Sequence, residues 1–165
     1  MPSVVRWVKA ANIHLTLKFL GDVPASNLDM VTKMLSLEVG QHPPFEISIG
    51  KLGVFPSIQK PRVIWIGIEA PQVLSALQRG IDLELAALGY PPDERPFSPH
   101  LTLGRVARNA QVEDLKEIGV TVKGNPVGFL GTIRVLEVDL YQSDLTPNGS
   151  IYTRLFSTAL GSIKE

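Results

Sequence analysis

The 165-residue chain is 44% hydrophobic and 19% charged, which predicts one globular domain, or two small lobes sharing a core, and excludes a chain that is disordered as a whole. Its 16 basic residues balance 16 acidic ones, which argues against a protein that coats nucleic acid through net charge, although a small positive cleft for one or two phosphates remains compatible. The chain has no cysteine, which excludes disulfides, thiolate catalysis and cysteine-ligated metals and fits a cytoplasmic protein.

Alternating apolar and polar residues predict a first strand from Asn12 to Leu20, and helical spacing then predicts a helix from Ser26 to Val39. Alternation returns from Phe45 to Val54. The next stretch, Arg62 to Ile68, is apolar on both faces and is therefore expected to be a central strand of a sheet. It is also the densest apolar run of the chain, and it is too short to span a bilayer.

The second half continues the alternation of helices and strands. Its predicted elements are a helix from Pro71 to Leu88, a proline-rich loop from Tyr90 to Pro99, a strand from His100 to Val106, a short helix from Val112 to Ile118, a long strand from Val127 to Tyr141, a turn at Pro147-Asn148-Gly149 and a return strand from Ile151 to Ser157. This order predicts an α+β fold with antiparallel sheets.

A short repeat marks the candidate site. The tetrapeptide His-Leu-Thr-Leu occupies residues 14–17 and again residues 100–103, both times within strand-like alternation. Residues two apart in a strand point to the same face, roughly 6.5–7 Å from each other. His14 and Thr16 therefore project together, as do His100 and Thr102, while the leucines point towards a core. If the two strands are neighbours, the four polar side chains line one groove.

Two imidazoles and two hydroxyls in one groove suit phosphodiester chemistry. A pair of histidines can act as acid and base in one reaction, and threonine hydroxyls can donate hydrogen bonds to anionic oxygens. A metal site is the alternative, but it usually needs a third ligand, and the spacing selects neither Asp22 nor Asp139 for that role. The remaining histidine, His42, is expected to be a solvent-exposed loop residue.

At this point the sequence resembles the 2H phosphoesterase superfamily, and most closely its RNA 2′,3′-cyclic phosphodiesterase (2′-5′ RNA ligase-like) family. The matching stretches are residues 12–23, 61–67, 97–105 and 143–152, so the resemblance extends over nearly the whole chain. It implies that residues 1–165 form a single domain of two pseudo-symmetric lobes, with antiparallel sheets flanked by helices around a central cleft.

The resemblance also implies a reaction and roles for the four repeat residues. His14 would give a proton to the leaving ribose oxygen, His100 would activate water, and Thr16 and Thr102 would bind phosphate oxygens. A terminal 2′,3′-cyclic phosphate on RNA would open to a 2′-phosphate without a metal or other cofactor. Family members can also join RNA ends by the reverse reaction.

Five further residues are weaker candidates for substrate contacts. Arg105 would bind the substrate phosphate if a twist or bend at Gly104 turned it to the site. Phe97 and Tyr152 could stack on a base, and Arg62 and Lys18 could contact the RNA backbone. Packing is the better explanation for either aromatic residue alone, and ordinary surface charge is the better explanation for either basic residue alone.

The chain departs from the family pattern before residue 6. Relatives usually carry a strand and a helix ahead of the segment matching residues 6–8, and the resemblance implies that both are missing here. The expected consequence is either an open sheet edge, through which two copies could pair, or exposed apolar surface. No membrane or obligate protein partner is expected, and RNA ends with a cyclic phosphate are the expected partners.

Two other functions stay open from the sequence. One is a 2H phosphodiesterase for a small cyclic or 2′-5′ linked nucleotide. The other, from a different class, is a module that binds RNA ends or phosphate without chemistry.

Overall fold

The computed structural model describes residues 4–146 and 149–161 and contains, within them, three α-helices, two 3-10 turns and seven strands. None of these helices is long and apolar enough to cross a bilayer. The 3-10 turns are Ala10–Asn12 and Ala25–Asn27. In chain order the other elements are β1 Val5–Trp7, α1 Leu28–Val39, β2 Phe45–Phe55, β3 Val63–Glu69, α2 Gln72–Ala87, β4 His100–Val106, α3 Val112–Gly124, β5 Phe129–Val135, β6 Glu137–Thr146 and β7 Gly149–Ala159.

The strands form two sheets. One has five strands in the order β1-β4-β3-β2-β5, and β6 and β7 form the other. The pairs β1–β4, β4–β3, β3–β2 and β6–β7 are antiparallel. The α+β class is confirmed, and β3 lies in the middle of the larger sheet, as its apolar character on both faces predicted.

The chain divides into two compact units. The first comprises the described residues up to Thr16, together with Ile47–Glu69 and Ser98–Ile133, and holds most of the five-stranded sheet. One face of that sheet packs against α3 through a cluster of Val54, Ile64 and Val122, with Val5, Leu52, Ile58 and Ile118 around it. Because side chains alternate along a strand, Trp65 and Gly67 of β3 face the opposite side.

The second unit comprises Leu17–Glu46, Ala70–Phe97 and the described residues from Arg134 onwards. Its helices α1 and α2 pack together at a point where a Cβ on Gly80 would collide with the Glu38 side chain. Both helices show the apolar spacing of about 3.6 residues that predicted them. The buried residues of the two helices are Val31, Met34, Leu35, Val39, Leu74, Leu77, Ile81 and Leu85.

The predicted strand from Asn12 to Leu20 is wrong as a regular strand. Only Leu15 pairs, in an isolated antiparallel bridge to Leu101, and a 3-10 turn precedes it. The physical reason is that β1 already occupies this edge of β4 from Gly104 to Val106. The alternation of polar and apolar residues therefore reports which way the side chains point, and not a long ladder of hydrogen bonds.

The second half differs from the sequence prediction in two places. The stretch from Val127 to Tyr141 forms two strands in different sheets, because the chain changes partners at Leu136 without a change in its alternation. The short helix that starts at Val112 continues to Gly124, since Val122 joins the core despite its low helix propensity. Pro147 and Asn148 of the predicted turn lie outside the described residues.

The prediction for His42 is wrong. Its side chain is half-buried, and its Nε2 lies 2.9 Å from Oε1 of Glu38, one helical turn earlier. The backbone N–H of Gly161 donates to the His42 carbonyl at 2.9 Å. The chain after α1 is thus held by contacts that its loop-like composition does not reveal.

Candidate active site

The two His-Leu-Thr-Leu segments lie side by side in the first unit. Leu15 and Leu101 are antiparallel partners, so the register places His14 opposite Thr102 and Thr16 opposite His100. Directly opposite residues point to the same face, and diagonal neighbours are about 7–8 Å apart. His14 and His100 are such diagonal neighbours, which leaves room between them for a phosphorus atom with an attacking and a leaving oxygen in line.

Both histidine rings are held by the same backbone contact. Nδ1 of His14 lies 2.7 Å from the carbonyl oxygen of Asn12, and Nδ1 of His100 lies 2.7 Å from that of Ser98. A carbonyl oxygen can only accept a hydrogen bond, so each Nδ1 carries a proton and donates it. Nε2 is therefore the atom in each ring whose protonation can change, and the same tautomer is selected in both strands.

Two aromatic residues that sequence reasoning missed support the His100 ring. Phe55 meets it edge to face, with ring centroids 5.0 Å apart, and Trp65 lies 6.3 Å from it. Phe55 and Trp65 also pack on each other with centroids 5.0 Å apart. Trp65 fits because its partner on β2 is Gly53, where a Cβ would collide with the indole. Only the pairing of β2, β3 and β4 identifies these residues, because in the sequence they resemble ordinary core positions.

A bulge in β4 decides where Arg105 points. Trp65 pairs with Thr102 and Ile64 with Gly104, so Leu103 is an extra residue in the ladder. Such an extra residue shifts the alternation of the side chains that follow. Arg105 pairs with Val63, which lies on the same face of β3 as Trp65, so Arg105 shares the face of His100 and Thr102. The bend expected at Gly104 is present one residue earlier.

Arg62 and Lys18 already have partners. The Arg62 guanidinium donates to the carbonyl oxygen of Ala107 at 2.9 Å, which ties the start of β3 to the loop after β4. The Lys18 ammonium is nearly buried, 2.6 Å from Oδ1 of Asp82, and donates to the carbonyl of Pro91 at 2.7 Å. These contacts supply a structural role for each side chain, and RNA binding by either one stays a prediction.

Phe97 and Tyr152 belong, like Lys18, to the second unit. Phe97 is half-buried in the loop before β4. Tyr152 lies on β7 and meets Tyr141 edge to face at 6.3 Å between ring centroids. Their contact with a base stays a prediction. Of the residues predicted from the sequence, the register places His14, Thr16, His100, Thr102 and Arg105 on one face.

Comparison with known proteins matches this architecture to one family. Residues 6–141 match the model of the 2′-5′ RNA ligase superfamily. The RNA 2′,3′-cyclic phosphodiesterase of Methanothermobacter thermautotrophicus is 42% identical over 149 residues, which cover 90% of this chain and 79% of that protein. Among solved structures, TT0787 of Thermus thermophilus superposes with a TM-score of 0.78 at 27% identity, covering 98% of this chain and 85% of that one. Escherichia coli LigT complexed with 3′-AMP gives a TM-score of 0.73 at 31% identity, with 97% and 83% covered.

Proposed function

This chain belongs to the 2′-5′ RNA ligase superfamily, and we propose that it hydrolyses a terminal 2′,3′-cyclic phosphate on RNA to a 2′-phosphate. The relative from Methanothermobacter thermautotrophicus is an RNA 2′,3′-cyclic phosphodiesterase, which supports the substrate class. The observation that carries the proposal is the Leu15–Leu101 pairing, because it puts two imidazoles and two hydroxyls on one face. A cytoplasmic location is part of the proposal and is compatible with the lack of cysteine.

The reaction proceeds by proton transfer at the two Nε2 atoms. Neutral His100 takes a proton from water, and the water oxygen attacks phosphorus. The bond from phosphorus to the ribose 3′ oxygen breaks, and protonated His14 gives its Nε2 proton to that oxygen. The product carries the phosphate on the 2′ oxygen and a free 3′ hydroxyl. A second proton exchange with solvent returns each ring to its starting state.

The threonine hydroxyls act on the phosphate itself. Thr16 and Thr102 donate to the non-bridging oxygens, whose negative charge grows as water adds, and donors aimed at developing charge lower the barrier. Each hydroxyl lies opposite a histidine in the register, so one threonine and one histidine flank each side of the phosphate. Arg105 adds a positive charge on the same face.

The proposed mechanism needs no metal ion. The part of the chain that the structure describes holds no group of three or more histidine or carboxylate side chains suited to one. Ligation of a 2′,3′-cyclic phosphate end to a 5′ hydroxyl is the same proton transfer run with a ribose oxygen in place of water.

The test is incubation with an RNA that ends in a 2′,3′-cyclic phosphate, followed by identification of the ribose oxygen that keeps the phosphate. We expect a 2′-phosphate, formed equally well in EDTA. His42→Gln is the matched control for the variants His14→Gln and His100→Gln, because His42 pairs with Glu38 in the second unit and has no role in the proposed reaction. Tight binding with no product would instead favour a phosphate-binding module, and loss of turnover in EDTA would contradict the metal-free mechanism.

A further inference from the structure

A second arginine stands beside Arg105 on the catalytic face. Arg6 of β1 is the direct antiparallel partner of Arg105 of β4. Directly opposite residues point to the same side of a sheet, so the bulge that turns Arg105 towards His100 and Thr102 puts Arg6 there as well. Both arginines are exposed.

This arrangement is unfavourable for the protein alone. Like charges directly opposite each other on neighbouring strands destabilise the pair. Within residues 4–146 and 149–161, neither guanidinium has an acidic side chain within ion-pair distance. An anion between them would remove the repulsion and accept hydrogen bonds from both forks, which is the usual way that arginine recognises phosphate.

The distance along β4 separates this pair from the reacting phosphate. With Leu103 bulged out, Arg105 stands about two regular strand positions beyond Thr102, or roughly 7 Å. That separation is comparable to the distance between neighbouring phosphates on a single strand. A terminal 2′,3′-cyclic phosphate has a neighbouring phosphodiester only on its 5′ side.

We propose that Arg6 and Arg105 together bind the phosphodiester immediately 5′ of the cyclic-phosphate nucleotide. The enzyme therefore prefers an oligonucleotide to a nucleoside 2′,3′-cyclic phosphate. This inference rests on the proposed function, since it locates the second phosphate relative to the first. It selects between the RNA-end substrate and the small cyclic nucleotide that the sequence left open.

The experiment compares three probes: adenosine 2′,3′-cyclic phosphate, a dinucleotide ending in the same group, and the same dinucleotide with a neutral methylphosphonate linkage. The upstream sugar is 2′-deoxy in both dinucleotides, so that only the terminal phosphate reacts. For the wild-type enzyme we expect kcat/KM to fall about tenfold from the phosphodiester to the methylphosphonate. Arg6→Met should lower kcat/KM for the phosphodiester by about the same factor. It should lower kcat/KM for the methylphosphonate only slightly, because the substitution and the neutral linkage remove the same interaction.

Arg6→Lys keeps the charge but loses the fork, so it should retain part of the preference for the phosphodiester, which separates a role in binding phosphate from misfolding. Arg79→Met, which removes an exposed arginine of α2, is the matched control and should keep the wild-type ratio between the three probes. Arg6→Met should also make the salt dependence of kcat/KM for the phosphodiester shallower, by roughly 0.7 in the log–log slope.

The two proposals fail in different ways. If the wild-type enzyme turns over all three probes with equal kcat/KM, or if Arg6→Met lowers kcat/KM by the same factor on each, the second phosphate site is refuted while the phosphodiesterase stands. If no probe yields a 2′-phosphate, the proposed function is refuted and this inference with it.

Discussion

At the scale of single residues, each histidine of the dyad should control a different limb of the pH–rate profile. The base must be neutral and the acid protonated, so kcat/KM should rise and then fall with pH. His100→Gln should remove the rising limb and His14→Gln the falling one, each with a loss of about 100- to 10,000-fold. Profiles of both variants check the assignment, and reversed limbs would exchange the two roles.

The hydroxyls of Thr16 and Thr102 should be replaceable by serine but not by valine. Valine keeps the branched shape and removes the donor, and a hydrogen bond to a charged group contributes about 1.5–3 kcal/mol. We expect Thr16→Val and Thr102→Val each to lower kcat/KM about 10- to 100-fold. Steady-state kinetics with the serine variants as controls measure this, and equal losses for serine and valine would point to packing instead.

At the scale of the elements, the contact of β2 with β3 should affect catalysis through the Trp65 ring. Gly53→Ala adds a methyl group against the indole, and overpacking typically costs about 1–3 kcal/mol. We expect a lower free energy of unfolding and a lower kcat, because Trp65 and Phe55 set the orientation of His100. Gly128→Ala is the control, since its Cβ would meet nothing within 4 Å. If Gly53→Ala is destabilised but has a normal kcat, Phe55 and Trp65 contribute to stability and not to catalysis.

The attachment of α3 to the sheet makes a second prediction at this scale. A Cβ on Gly119 would collide with the Ile58 carbonyl, whereas one on Gly124 would meet no atom within 4 Å. Gly119→Ala should therefore destabilise the protein by roughly 1–3 kcal/mol. Gly124→Ala should be neutral, or stabilising by up to about 1 kcal/mol, because alanine favours the helix. Denaturant unfolding measures the free energy of unfolding of both variants. If α3 packs as described, Gly124→Ala must be the more stable of the two.

The elements with clear periodicity were predictable from the sequence, and those defined by their partners were not. Apolar spacing gave α1, α2 and β4 nearly to the residue. It could not indicate that residues 12–20 pair only at Leu15, because the occupant of the neighbouring strand edge is set by distant residues. β1, only three residues long, carries too little alternation to be recognised.

The candidate site, too, was predictable from the sequence only where it depends on local alternation. The repeat predicted that each histidine shares a face with the threonine two residues on, since alternation in a strand is a local property. That the two segments are neighbours was only a condition of the predicted groove, and the Leu15–Leu101 pairing supplies it. The bulge at Leu103, the aromatic support from β2 and β3, and the arginine on β1 all depend on register, which one sequence does not contain. The partners of Arg62 and Lys18 were likewise invisible, because the atoms they bind lie far along the chain.

At the scale of the whole molecule, the balance of 16 basic and 16 acidic residues limits how RNA can be bound. Without a net positive field, affinity must come from a few phosphates at the site. The association constant for a short RNA should therefore fall with salt with a log–log slope between about −1 and −3, at roughly −0.7 per phosphate. Titration of an inactive His14→Gln/His100→Gln variant between about 50 and 200 mM salt measures it.

A slope steeper than about −4 would contradict this expectation and indicate a broad basic surface.

The organisation of residues 1–165 as one domain of two lobes stays a prediction. The structure defines two compact units, and all four repeat residues belong to the first of them. The chemistry of the site thus depends on the five-stranded sheet and its support by α3.

The carbonyl oxygens of Asn12 and Ser98 accept a hydrogen bond from Nδ1–H of the two histidines. In many enzymes a carboxylate side chain makes this contact and holds the imidazole in place. A main-chain acceptor is present whatever residue occupies the position, so mutation at 12 or 98 cannot delete it. The side chains at positions 12 and 98 could therefore vary in evolution without removing this contact to either ring. A protein designer could exploit the same economy by grafting the motif onto any pair of adjacent strands whose backbone turns a carbonyl back two residues ahead of each imidazole.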